Sequence, residues 1–219
     1  MKSWRFVSAA IVVLISAATL FSQASANSRT ILLAMAANTK RMTQYQWKQR
    51  ITVTRKGKPA QPVIDQISFE PGGGMHRTTI SAPEEMGGIR GRIAAGVRQN
   101  VKDIMELVGR YNKPQQMIAT INKAKITQNS SDGTLRLQAN GLIQPNDSMT
   151  MVVDATTHLA KQAQIATSYD GSPMTVVQDY GPIPNGPNVM KSIKVAVPQK
   201  ELAIDVASYD FAQQTSTRR

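Results

Sequence analysis

Cysteine is absent from this chain, and histidine and aromatic residues are scarce. Its 219 residues include no cysteine, two histidines and 5% Phe, Trp and Tyr. Without cysteine the fold has no disulfide and the chain has no thiol nucleophile, so stability must come from a buried core. His76 and His158 have no metal-ligand spacing to another ligand, which favours structural or solvent-exposed roles. We therefore predict no metal site and no cofactor.

Motifs of catalysis are missing as well. The chain contains no G-x-S-x-G nucleophile elbow. Most aspartates of its second half fall at predicted strand ends or turns, where the side chain commonly bonds the local backbone. No carboxylate pair has a spacing that indicates hydrolysis. An enzyme is the least favoured class, and no catalytic residue is predicted.

The one long apolar run lies at the N-terminus. Lys2 and Arg5 precede an apolar stretch over residues 6–21, and small residues including Ala24 and Ala26 follow. This order predicts a signal peptide over residues 1–26, cleaved after Ala26. The run is shorter than the ~20 residues of a membrane span, so an uncleaved anchor is the weaker alternative. We expect the mature protein in the periplasm of a bacterium.

The charge is one-sided. The chain has 26 Lys and Arg against 14 Asp and Glu, a net charge of +12. Loss of Lys2 and Arg5 with the signal peptide leaves 24 − 14 = +10. This balance favours contact with an anionic membrane surface or an acidic polymer. Charge spread evenly for solubility explains it equally well.

A glycine pattern over residues 86–93 is similar to the G-x-x-G loop with which KH domains clamp nucleic acid. The residues around it do not fit that small fold, and a signal peptide removes a protein from most RNA. We therefore predict no nucleic-acid partner.

Hydrophobic periodicity predicts a β-rich chain with three helices. The helices are expected over residues 30–38, with Ser28 as N-cap, 89–108 and 114–124. Alternation of apolar and polar residues predicts strands over 45–54, 63–70, 75–80, 125–129, 134–142, 148–153, 159–168, 174–179, 189–197 and 202–209. The fold class is α+β, a single curved antiparallel sheet forming an unclosed β-barrel covered by one long and one or two short helices. One domain is expected over residues 27–211, with a polar flexible tail over 212–219.

The closing section carries a resemblance. It contains a V-V-D-A-T-T segment at 152–157, then Tyr169-Asp170-Gly171, Pro184-Asn185-Gly186 and a final strand ending at 208–211. This succession of strands and turns resembles the C-terminal half of the Lol-type outer-membrane lipoprotein carrier superfamily, and the leading helix and the Tyr45/Trp47 strand are compatible with the start of that family. The resemblance covers residues 30–211. It implies an open barrel whose apolar face holds acyl chains, with the 89–108 helix as a lid.

The lead hypothesis is a non-enzymatic lipid or acyl-chain binding protein, a monomer whose partner is a lipid or lipidated ligand. The predicted ligand-binding residues form an apolar groove and its lid, although for each of them a place in the simple core is favoured over a ligand contact. They are Tyr45, Trp47, Ile51, Val53 and Phe69 in the groove and Ile93, Val97, Val101 and Ile104 in the lid. The alternative is an envelope protein that docks an anionic polymer or protein partner through its basic surface.

Overall fold

The computed structural model of the chain describes residues 26–70, 74–83 and 88–214, and the side chains of these residues except 26 and 88–94. The predicted signal peptide therefore lies outside the described residues, apart from its last position. Residues 86 and 87 of the KH-like glycine pattern and the end of the predicted tail, residues 215–219, lie outside them too, and the side chains of the remaining residues of that pattern are not described. The predicted lid residue Ile93 has no described side chain.

Three α-helices are present in the described ranges, α1 (Ala26–Met42), α2 (Gly88–Tyr111) and α3 (Pro114–Lys123), together with a short 3₁₀ helix at Pro198–Lys200. The strands are β1 (Tyr45–Arg55), β2 (Lys58–Pro59), β3 (Val63–Phe69), β4 (Met75–Ser81), β5 (Lys125–Asn129), β6 (Thr134–Asn140), β7 (Ser148–Asp154), β8 (Ala160–Tyr169), β9 (Ser172–Pro182), β10 (Asn188–Val197) and β11 (Leu202–Gln213). None of the helices described is long and apolar enough to cross a membrane.

All the described strands join one antiparallel sheet. Their order is β4-β3-β1-β11-β10-β9-β8-β7-β6-β5, and the short β2 pairs with β1. The strands at the two ends, β4 and β5, do not pair with each other, so the sheet stays open. The predicted fold class of an unclosed antiparallel sheet with covering helices is confirmed.

One face of the sheet packs against the helices, and we call it the inner face. A register row runs along it through Ile51, Val206, Ile193, Gln178, Ala163, Met151, Leu137 and Ile126, from β1 to β5. Helix residues close over this face, including Ile31, Ile104, Tyr111 and Ile121, each at most 1% exposed. Most of these residues form the main core of the protein, while Ile51 and Ile126 pack against it.

Two predicted boundaries differ for identifiable reasons. Ser28 does not cap α1, because it lies inside a longer helix and its hydroxyl donates to the carbonyl of Ile121 in α3 at 3.3 Å. β11 continues to Gln213 past a bulge, where Tyr209 pairs with Lys48 and Ala212 with Gln46. Asp210 lies in this bulge with a φ of 53°. Because a bulge adds one residue, the alternation of apolar and polar residues that marks the strand is broken there.

Candidate functional site

The inner face carries a second apolar cluster besides the main core. Trp47, Ile67 and Phe69 are at most 7% exposed, and Met42, Met75 and Phe211 pack against them. The Trp47 ring lies 5.8 Å from the Phe69 ring and is stacked on Phe211 at 6.1 Å, measured between centroids. We call this the aromatic cluster. It is formed by β1, β3, β4 and β11, together with the end of α1.

A row of polar residues separates the aromatic cluster from the main core. Trp47, Gln49 and Ile51 share a face of β1, because alternate residues of a strand point to the same side. Gln49 pairs in register with Ser208 of β11 and with Asp65 of β3, and Asp65 pairs with Thr79 of β4. The Gln49 side-chain amide donates to Ser208 Oγ at 3.4 Å. We call Ser208, Gln49, Asp65 and Thr79 the polar row.

Asp65 is the most buried member of the polar row. Its residue exposure is 1%. Arg77 of β4 donates to its Oδ2 from Nε at 2.5 Å, and Nη2 of the same guanidinium contacts the same oxygen. The other carboxylate oxygen, Oδ1, is buried and has no hydrogen-bond partner among the described residues. A charged pair with one acceptor left over therefore lies between the two apolar clusters.

A cation lies at the edge of the aromatic cluster. Lys191 Nζ is 4.6 Å from the centroid of the Phe211 ring, a cation–π contact. None of the ion pairs between described residues involves Lys191. Burial lowers the pKa of the Lys191 ammonium. The site is thus apolar with positive charge at its margin.

Two polar networks fasten the junction of α2 and α3 to the sheet. The Tyr111 hydroxyl donates to Asp147 Oδ2 at 2.5 Å and lies 2.8 Å from Thr167 Oγ1. Burial and the bond to Asp147 raise the pKa of Tyr111. Burial alone would raise the pKa of Asp147, but the donors around it outweigh burial and lower it.

The second network contains Asn112, the residue that follows Tyr111. Gln178, 0% exposed in the middle of the apolar row, donates to Asn112 Oδ1 at 3.2 Å and accepts from the Tyr180 hydroxyl at 2.9 Å. The Asn112 amide in turn donates to the Val108 carbonyl. Burial raises the pKa of Tyr180. The buried amide is therefore paired, as a polar group in a core must be.

The structure divides the predicted groove and lid residues between the two apolar clusters. Val101 and Ile104 of α2 belong to the main core, at 8% and 0% exposure. Ile51, Val53 and Val97 pack against the main core while half-buried. These three keep accessible apolar surface beside the closed interior.

The other predicted residues lie around β1 and β3. Trp47 and Phe69 belong to the aromatic cluster. Tyr45 is half-buried beside the β9–β10 connection, where a Cβ at Gly186 would lie 3.1 Å from the Tyr45 hydroxyl. The residues predicted as a groove and lid thus lie in or beside two apolar clusters that a polar row separates.

Sequence reasoning missed the polar components: Gln49, Asp65, Arg77 and Lys191. A signal for Asp65 was available, because Val63, Asp65, Ile67 and Phe69 alternate and place the aspartate on the buried face of β3. Arg77 and Lys191 carry no comparable signal. Within the described ranges no group of three His, Asp or Glu side chains is arranged to hold a metal ion.

Comparison with known proteins gives similarity of structure alone. No family model matches the chain, and no curated protein does. A DUF1329 family protein from Desulfovibrio piger is 9% identical with a TM-score of 0.46, over 89% of this chain and 94% of that one. A LolA superfamily protein from Nitrosomonas europaea is 13% identical with a TM-score of 0.39, over 87% of this chain and 95% of that one.

A third similar structure is a putative outer membrane lipoprotein-sorting protein domain from Vibrio parahaemolyticus. It is 8% identical with a TM-score of 0.41, over 88% of this chain and 95% of that one. The superfamily that the sequence resembles is thus named among these structures.

Proposed function

We propose that this chain is an exported, non-enzymatic protein that binds a lipid or acyl chain against the inner face of its sheet. The observation that carries the proposal is the half-buried apolar surface of Ile51, Val53 and Val97, which adjoins a main core spanning the sheet from β11 to β6. The predicted signal peptide supports a periplasmic location.

Burial of an acyl chain needs no special chemistry. Each methylene removed from water contributes about 0.8 kcal/mol. A chain of about 14 methylenes therefore gains on the order of 10 kcal/mol before the cost of ordering the ligand. An open sheet with a helix-covered apolar face offers such a surface, and Lys191 places positive charge at its margin for an anionic head group.

The experiment is mass spectrometry of organic extracts from the purified mature protein, combined with titration of a fluorescent acyl probe. Val97→Asp places a charge on half-buried apolar surface, and it should weaken probe binding at least tenfold because an ionised carboxylate is costly to bury. Leu33→Asp is the matched control. Leu33 is 55% exposed on α1, so its variant should bind like the wild type.

The outcomes separate two functions. A stoichiometric lipid in the extract, together with probe binding that is lost in Val97→Asp and kept in Leu33→Asp, supports the acyl-binding function. A protein that yields no lipid and takes up no probe would refute it. Binding of that protein to anionic vesicles, lost on addition of salt, would then favour the docking function of the basic surface.

A further inference from the structure

The unpartnered oxygen of Asp65 is the feature that carries an inference about ligand class. A buried acceptor left without a donor is unfavourable, and native proteins satisfy nearly all such atoms. Asp65 Oδ1 is buried without a hydrogen bond from any described residue, although both contacting nitrogens of Arg77 reach the neighbouring Oδ2. The carboxylate can thus accept a further hydrogen bond.

The position of this oxygen indicates what would donate to it. On β1 the polar row lies between Trp47 of the aromatic cluster and Ile51, which packs against the main core. A ligand whose apolar part packs on either cluster brings its polar part to the row. The Arg77 guanidinium already contacts Asp65 Oδ2. Oδ1 of the same carboxylate can therefore accept a hydrogen bond from a ligand, but it has no hydrogen to donate.

We infer that the protein selects amphiphiles whose polar part carries a hydroxyl or N–H donor, and that Asp65, oriented by Arg77, accepts the hydrogen bond from that donor. This inference rests on the proposed function, because it requires an acyl chain at the inner face. It adds a selectivity that apolar packing alone does not give, since a methylated polar group cannot donate.

The test compares a fatty alcohol with its methyl ether, which differ in the presence of the donor. Each displaces a fluorescent acyl probe from the purified mature protein. A hydrogen bond to a charged group corresponds to about a ten- to hundredfold change in affinity, so the alcohol should bind tighter than the ether by this factor. The double variant Asp65→Leu/Arg77→Met should bind both compounds equally.

The double variant removes both charges and substitutes apolar side chains, which avoids leaving one partner of a buried pair uncompensated. Its control is Lys48→Met/Asp210→Asn. This second pair, 2.9 Å apart, is exposed, and alternation places Lys48 on the other face of β1 from Gln49. The control should keep the preference for the alcohol. The wild-type comparison needs no variant, so it tests the inference even where the double variant does not fold.

Each result decides a different point. A preference for the alcohol that disappears in the double variant and persists in the control supports the inference. Equal binding of alcohol and ether by the wild type overturns it while leaving acyl binding intact. A preference that survives in the double variant also overturns it, because the donor then binds elsewhere. Failure of both compounds to displace the probe overturns the selectivity, and failure of the probe itself to bind overturns acyl binding as well.

Discussion

Replacing Tyr111 with Phe removes one hydroxyl from a side chain that is 0% exposed, and leaves the ring in place. That hydroxyl donates to Asp147 Oδ2 at 2.5 Å and contacts Thr167 at 2.8 Å. A hydrogen bond to a charged group contributes about 1.5–3 kcal/mol. We expect Tyr111→Phe to lower the free energy of unfolding by that amount, and Tm by roughly 2–4 °C for each kcal/mol.

The assay is urea denaturation of the mature protein followed by circular dichroism. Tyr169→Phe is the matched control, because the Tyr169 hydroxyl makes an exposed bond of 3.4 Å to Asn100. Its change should stay within about 0.5 kcal/mol. If both variants unfold at the same urea concentration as the wild type, the Tyr111 network does not stabilise the junction of α2 and α3.

The same variant has a pH signature. The pKa of Asp147 is lowered in the folded protein from its usual 3.8. A lowered pKa gives a stabilising contribution that is present above the unfolded value and is lost as pH falls through the folded value. Without the Tyr111 hydroxyl the folded pKa moves up, so Tyr111→Phe should lose less stability than the wild type on acidification below about pH 4.

Two further predictions concern turns and a helix. Gly186→Ala should destabilise the protein by about 1–3 kcal/mol, because the new Cβ would lie 2.7 Å from Ile183 Cδ1. Gly96→Ala in α2 should stabilise the protein by about 0.5–1 kcal/mol, because the new Cβ would have no atom within 4 Å. Thermal denaturation of the two variants measures both changes. The backbone N–H of Thr157 is the first cause that lowers the pKa of Asp154 to about 2. Asp154→Asn should therefore abolish the part of the stability loss between pH 4 and pH 2 that this carboxylate causes. Equal slopes of the free energy of unfolding against pH for variant and wild type in that range would contradict this.

The sheet was predictable because its strands obey two-residue alternation. β6 and β7 bury every second residue, as Leu135, Leu137 and Met149, Met151 show. Turns rich in Gly, Asp and Pro separate these strands. The prediction was wrong where a bulge interrupts the two-residue alternation. At the Asp210 bulge the predicted strand ends four residues before the end of β11.

The site was less predictable, because it depends on which rows of the sheet meet. Trp47 and Ile51 lie on one face of one strand, which suggested one groove. Gln49 lies between them on that face, and only strand pairing shows that Asp65 and Ser208 extend this single polar residue into a row. Sequence periodicity gives the face of a residue, but the register of distant strands is a tertiary property.

The burial of α2 changes along its length, and this gradient bears on how a ligand reaches the inner face. Val108 and Tyr111 are at most 1% exposed, and the hydrogen bonds of Tyr111 and Asn112 hold that end to the sheet. Val97 is half-buried, and Gly96 is exposed. Because local opening requires less free energy where fewer apolar contacts and hydrogen bonds are lost, we expect residues 95–100 to separate from the core at a lower free energy than the segment from Val101 to Tyr111. Under the proposed function, an acyl chain would disturb the main core less beside Val97 than beside Val108, which is why a charge at Val97 is a direct test of acyl binding.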